Sequence, residues 1–199
     1  MAWSLSLCRM WKGKEVKLHK GTLPVGFVEY PRIIQNCDKI IKFVEDNGFF
    51  PSYVFIDGQN VVKENRQSQS CYVPMYDFGN PEPIFNMNKT VWQKIGDYTE
   101  QWKFDVRGIE DPSIQKYKPE GDHYDFHHDD GPGMHRVVSA LVYLNTVHEG
   151  GETYFPEFDL KIKPEVGKLV IFPSNYIYRH AALSPESGVK YAAAYWGYV

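Results

Sequence analysis

At 199 residues the chain is long enough to bury a real core without disulfide staples, and 43% hydrophobic with 24% charged residues is a globular composition. A formal net charge of −3 gives neither a basic field for nucleic acid nor an acidic tail. No apolar run approaches membrane-spanning length, which excludes a transmembrane helix.

In chain order, the opening MAWSLSLCRMWKGK has only a short apolar stretch, and its charges follow that stretch, so no signal peptide is expected. Cys8, Cys37 and Cys71 are far apart and form no CxxC pair, which fits free thiols in a reducing compartment. A soluble cytoplasmic protein is expected. The first predicted helix covers 31–48, PRIIQNCDKIIKFVEDNG, where Ile33, Ile34, Cys37, Ile40, Ile41 and Val44 recur at helical spacing. Pro31 suits its first turn and Asn47-Gly48 its stop. The second covers 88–102, with Val91, Ile95, Tyr98 and Trp102 on one stripe. Both stripes are expected to pack on a core.

From about residue 113 the texture changes. RVVSALVYL (136–144), ETYFP (152–156), KLVIFP (168–173) and VKYAAAYWGYV (189–199) are short β-type runs punctuated by glycine and proline turns. They predict a multi-stranded sandwich or barrel. The chain reads as one domain, 1–199, with helical or mixed support over 1–112 and a β-rich core over 113–199.

The densest chemistry is HYDFHHDDG, residues 123–131. It holds three overlapping His-x-Asp pairs: His123/Asp125, His127/Asp129 and His128/Asp130. In a strand, residues i and i+2 share a face, so an imidazole and a carboxylate so spaced reach one ion together. A further ligand is expected from a distant, aromatic-flanked segment, and YIYRH (176–180) offers His180. Two histidines and one carboxylate with open positions suit non-haem Fe(II). Zinc would more often recruit another His or a Cys, and none of the cysteines stands near. His19, His123, His135 and His148 are expected in turns or at the surface. Lys190 is the single charge in the apolar run around Val189, Ala192, Ala193 and Ala194, which fits a buried cation with a task better than a solvated side chain.

From about Gln115 onward the sequence resembles the prolyl 4-hydroxylase branch of the 2-oxoglutarate/Fe(II) dioxygenases. The resemblance is carried by YKPEGDHYDFHHD, RVVSALVYLN, GGETYFP and HAALSPESGVKYAAAYW. The family pattern of Tyr followed by Gly-x-x-Tyr-x-x-His-x-Asp falls on Tyr117, Gly121, Tyr124, His127 and Asp129. That register makes His127 and Asp129 metal ligands, with His180 the distal one. The resemblance implies a mostly β, α+β fold with a double-stranded β-helix (jelly-roll) core and supporting helices toward the N-terminus. It implies Fe(II), 2-oxoglutarate and O2 as cofactors, and allows ascorbate. Lys190 then pairs with the distal carboxylate of 2-oxoglutarate, Tyr143 donates to the same carboxylate, and Tyr117 lines the pocket. Arg136 and Trp196 take substrate-side positions, and Arg66 resembles the family's Arg-x-Ser loop near the substrate. The chain departs from the family at Tyr198, where a His is common, and at Tyr191, where a Trp is common.

The expected activity is hydroxylation of a C–H bond with decarboxylation of 2-oxoglutarate to succinate, on a prolyl residue of a peptide or protein. Two other readings stand beside it. One is the same chemistry on a free amino acid, another side chain or a nucleobase; the weak negative charge counts against a nucleobase. The other is a metal-binding β-barrel module without turnover.

Overall fold

The computed structural model describes residues 23–56, 59–62, 64–75, 77, 79–119 and 121–199; Cys8 and His19 lie outside the described residues. The first half contains β1 (Val28–Tyr30), α1 (Cys37–Asn47), β2 (Phe50–Pro51), β3 (Val54–Ile56), β4 (Gln59–Val61), β5 (Arg66–Gln67), β6 (Gln69–Tyr72) and α2 (Glu82–Trp102). The second half contains β7 (Gly108–Ile109), β8 (Ser113–Tyr117), β9 (His123–His127), β10 (Arg136–Tyr143), β11 (Thr153–Phe155), β12 (Leu160–Ile162), β13 (Leu169–Pro173), β14 (His180–Ala182) and β15 (Lys190–Tyr198).

Two antiparallel sheets build the core. The larger runs β1-β13-β10-β15-β8-β6-β2, with β7 also on β15; the smaller runs β12-β11-β14-β9-β5. Together they make a double-stranded β-helix, the jelly roll. A separate hairpin pairs β3 with β4. No helix among the described residues is long and apolar enough to cross a membrane.

Period-two alternation explains how one sheet serves two cores. Val138, Ala140 and Val142 of β10, Leu169 and Ile171 of β13, and Ala193 and Tyr195 of β15 turn toward the helices. They meet Ile40 and Val44 of α1 and Ile84, Met87, Val91 and Ile95 of α2. The alternate residues Tyr143, Val170, Phe172 and Ala192 turn inward and pack with Phe27, Phe155, Ile162 and Tyr178. Both faces are buried, which is why RVVSALVYL and KLVIFP are nearly unbroken apolar runs. Two phenols bolt α2 down: Tyr195 donates to Asn88 Oδ1 at 2.8 Å and Tyr98 to the Gly26 carbonyl at 2.8 Å. Ile95 is fully buried in this cluster, so Ile95→Ala is expected to cost about 2–5 kcal/mol through lost transfer energy and a cavity. A denaturant titration checks this; a loss below about 1 kcal/mol would mean that α2 is not anchored as described.

Both helices differ from their sequence patterns at the N-terminal end. The 31–48 pattern yields a helix only from Cys37, because Arg32 (φ 52°) and Asn36 (φ 54°) turn the chain twice first. Ile34 is still buried, but on a loop whose N–H bonds the Gly167 carbonyl at 3.1 Å. Apolar spacing records burial and cannot separate a helix from a packed loop of the same rhythm. The expected stop holds: Gly48 takes φ 86° and its N–H bonds the Val44 carbonyl at 3.0 Å. Helix α2 starts at Glu82 rather than 88, behind Pro81 and with Pro83 in its first turn, so Ile84 and Met87 extend the stripe. Trp102, at the far end of that stripe, stays exposed.

The first 112 residues hold strands as well as helices. They supply β1, β2, β6 and β7 to the larger sheet and β5 to the smaller. Arg66 thereby becomes a partner of Tyr124 across β5 and β9.

Candidate metal centre and cavity

The HYDFH half of the motif forms β9, and β9 pairs with β14 so that His127 and His180 are register partners. Asp129 follows two residues after His127, past the end of the strand. His127, Asp129 and His180 each offer one ligand atom within 4.8 Å of the others, and among the described residues no other group of three does so. Asp129 Oδ1 lies 3.6 Å from His127 Nε2, and Oδ2 lies 3.9 Å from His180 Nε2. His123 and Asp125 approach to 3.5 Å but gather no third ligand. His128 is exposed, with its Nδ1 on the Asp130 carbonyl, and His135 and His148 are exposed as well.

The donor set fits a divalent iron. Nδ1 of His127 sits 2.8 Å from the Asp125 carbonyl, and Nδ1 of His180 sits 3.0 Å from the Tyr178 carbonyl. A carbonyl only accepts, so each Nδ1 carries the proton and each Nε2 keeps its lone pair for a metal. Burial, above all, pushes His180 down to about 4, so it stays neutral. Burial by itself would raise the Asp129 carboxyl, but His180, His127 and the Ser139 hydroxyl outweigh it and hold the group well below the usual carboxylate range. Two imidazoles and one carboxylate on one side of a cavity are the ligand set of non-haem Fe(II) oxygenases.

The cavity beside these ligands has a volume of about 450 Å³ and runs between the two sheets. At its inner end lies Lys190, 1% exposed, directly across from Tyr117 in the β15–β8 register. Its Nζ stands over the Tyr117 ring at 5.1 Å and the Tyr143 ring at 5.8 Å. No carboxylate forms an ion pair with it among the described residues, and burial pushes it down to about 7 with only the field of Glu152 opposing. A fully buried cation without a counterion is costly unless a ligand supplies the negative charge. Around it, Tyr143 donates to Thr153 Oγ1 at 2.8 Å and Tyr117 donates to Gln115 Oε1 at 2.5 Å. Burial raises both phenols, Tyr117 to about 12, so both remain protonated donors. A cation and hydroxyl donors at one end, and a metal ligand set at the other, suit a short dicarboxylate lying between them.

The outer end is aromatic and basic. Arg136 donates to both oxygens of Glu110, at 2.6 and 2.5 Å, and its guanidinium lies 4.0 Å over the Trp196 ring. Arg66 lies 4.6 Å over the Tyr124 ring and donates to the Tyr53 carbonyl at 2.7 Å. Tyr124 in turn stacks on His127 with ring centroids 3.7 Å apart. All nine residues singled out from the sequence line this one cavity: His127, Asp129, His180, Lys190, Tyr143, Tyr117, Arg136, Trp196 and Arg66. Sequence reasoning missed Glu110, Thr153, Gln115 and Ser139. Ser139 had left a signal, as a lone hydroxyl on the inward-facing register of an apolar strand.

Residues 112–198 match the family described as the 2OG-Fe(II) oxygenase superfamily. A protein of Acanthamoeba polyphaga mimivirus, named as a prolyl 4-hydroxylase by assignment, is 27% identical over 180 residues, covering 80% of this chain and 68% of that protein. The chain spans a smaller part of others, such as 28% of prolyl 4-hydroxylase subunit alpha-1 of Gallus gallus, at 28% identity over 70% of this chain. Among solved structures, the viral collagen prolyl hydroxylase of Paramecium Bursaria Chlorella virus-1, in complex with 2-oxoglutarate, is 25% identical with a TM-score of 0.69, covering 87% of this chain and 97% of that one. A Trichoplax adhaerens prolyl hydroxylase bound to a peptide of the hypoxia inducible factor oxygen degradation domain shares the fold, with a TM-score of 0.72 at 20% identity, covering 87% and 83% of the two chains. Over residues 112–198 the chain is thus similar to the 2OG-Fe(II) oxygenases, whose jelly roll and His-Asp-His ligand set it shares. Its relatives and structural neighbours are prolyl hydroxylases, and the family match together with the His-Asp-His set implies Fe(II) and 2-oxoglutarate as cofactors.

Proposed function

We propose that the chain hydroxylates prolyl residues in a peptide or protein, most simply at C4. The unpaired, buried Lys190 at the far end of a cavity headed by His127, Asp129 and His180 carries the 2-oxoglutarate part of this reading. The likeness to prolyl hydroxylases, including a viral collagen prolyl hydroxylase and one bound to a peptide, supports the substrate class. So does the aromatic outer end, because aromatic-lined grooves suit the polyproline II conformation.

In this reading His127, Asp129 and His180 hold Fe(II), which with 2-oxoglutarate and O2 supplies oxygen insertion into a C–H bond together with release of succinate and CO2. Lys190 binds the distal carboxylate, Tyr143 turns its hydroxyl from Thr153 to donate to it, and Tyr117 lines the pocket. Leu141 and Ala192 line the space between and help to exclude water. Trp196, Arg136 and Arg66 hold the peptide so that the target carbon reaches the metal. The chain works as one domain, 1–199, whose catalytic core is 113–199 and whose remainder gives helical or mixed support and lends Arg66 to the cavity. It acts in the cytoplasm, in line with the buried free thiols Cys37 and Cys71. Ascorbate serves as a reductant.

Incubation with a proline-rich peptide, Fe(II), 2-oxoglutarate and O2 is expected to add one oxygen atom per modified proline, recovered as 4-hydroxyproline on amino-acid analysis. Oxygen found on another residue, or on carbon 3, would reassign the substrate.

Lys190 also sets a pH dependence. Its pKa is depressed to about 7 before the co-substrate binds, so it is charged below that pH and neutral above. The dicarboxylate binds the charged form. KM for 2-oxoglutarate is therefore expected to be flat below about pH 7 and to rise above it by up to about tenfold per pH unit. In a Lys190→Arg chain the guanidinium stays protonated and the rise is expected to vanish. An unchanged rise in that variant would assign the dependence to another group.

A further inference from the structure

We infer that Ser139, backed by Ser174, is a positioning residue that makes Asp129 a one-oxygen ligand; this rests on the metal site proposed above. Ser139 is fully buried on β10 and donates to Asp129 Oδ2 at 2.6 Å. Its oxygen also lies 2.8 Å from Ser174 Oγ, itself 1% exposed. The proton count sets the direction. A carboxylate only accepts, so Ser139 spends its single proton on Asp129, and Ser174 must donate to Ser139. The backbone repeats the arrangement: the Ser174 carbonyl accepts the N–H of Asp129 at 3.1 Å and of Asp130 at 3.0 Å. One residue at the end of β13 thus pins the loop that carries Asp129, and the same segment leads into His180.

The consequence is geometric. A free carboxylate beside a cation can rotate and bind through both oxygens, which would take up a position at the metal needed by 2-oxoglutarate or O2. Here Oδ2 is held by the Ser139 hydroxyl at 2.6 Å while standing 3.9 Å from His180 Nε2, and Oδ1 faces His127 Nε2 at 3.6 Å with no hydroxyl on it. Nothing in a His-x-Asp pattern encodes this restraint. It comes from two hydroxyls brought together across β10 and the end of β13.

The test uses metal binding rather than turnover. Ser139→Ala is expected to weaken Mn(II) binding about 10- to 100-fold, the range usual for partners behind metal ligands. The Co(II)-loaded variant is expected to show a changed visible absorption spectrum, as the carboxylate turns. Ser139→Thr, which keeps the hydroxyl, should restore both. Ser174→Ala leaves the Ser139 bond in place without its orienting donor, and is expected to fall between wild type and Ser139→Ala. Thermal unfolding of the metal-free proteins separates a folding defect from a metal defect. If Ser139→Ala is folded, binds Mn(II) as tightly as wild type and keeps the Co(II) spectrum, the inference is wrong. If Ser139→Ala does not fold, Ser174→Ala decides on the same two readouts. Wild-type protein that binds Mn(II) but makes no succinate would instead overturn the proposed activity and leave this inference standing.

Discussion

An Asp129→Ala chain is expected to fold and to lose turnover by about 1000-fold or more, equivalent to about 4 kcal/mol or more of barrier. Asp129 is the sole carboxylate among the three converging ligands, and the cavity offers no described substitute at the same point. Asp130 is adjacent in sequence, but it is absent from the converging set, and its backbone is tied to the Ser174 carbonyl. Removing Asp129 also strips Ser139 of its acceptor, so the loss is not confined to one metal bond. Equilibrium dialysis with Fe(II) under anaerobic conditions, followed by single-turnover succinate assay, checks both parts. Retained iron affinity in Asp129→Ala would shift the metal to one of the neighbouring His-x-Asp pairs.

The second large effect is expected at Lys190. Lys190→Ala should raise KM for 2-oxoglutarate about 150- to 5000-fold, since breaking a buried ion pair costs about 3–5 kcal/mol. Its effect on Fe(II) affinity should be small, because the triad does not use its side chain. With an apolar side chain of similar size in its place, the ligand-free protein should be more stable than wild type. The sign follows from the pKa: Lys190 is depressed in the folded chain, so below its unfolded value folding must expel a proton or bury a charge. That penalty is present at neutral pH and fades as pH rises toward the unfolded value, and replacing Lys190 with an apolar residue removes it. Methionine tests this better than alanine, as Lys190→Met fills the space. A Lys190→Met chain that is less stable than wild type at neutral pH would mean that a protein group already compensates the cation.

Much of the site was legible because chemistry and periodicity coincided there. His127 and Asp129 stand two residues apart at the end of a strand, and His180 follows a turn after an apolar run. The residues alone left three registers open, and the resemblance chose among them. The sheet pairing that sets His127 opposite His180 is a long-range fact no local pattern carries. Lys190 was legible for the opposite reason: a charge in an unbroken apolar strand has to be answered by something. The helices were legible in their cores and not at their starts. Arg32 and Asn36 adopt left-handed backbone that apolar spacing does not record. Glu110 was not legible at all. It meets Arg136 only because β7 and β10 flank β15 on opposite sides. The strands β5 and β6 were hidden in KENRQSQSCYVP, whose polar alternation follows from a position near a sheet edge.

This cavity is expected to couple 2-oxoglutarate turnover at iron to a peptide. The most direct measurement loads the chain with Fe(II) without oxygen, adds 2-oxoglutarate and O2, and follows succinate with and without a proline-rich peptide. Succinate is expected to need both iron and 2-oxoglutarate, to rise with the peptide, and to be absent in Asp129→Ala. Protein that binds iron and 2-oxoglutarate yet forms no succinate under any of these conditions would contradict it, and the chain would then be a metal-binding jelly roll without turnover.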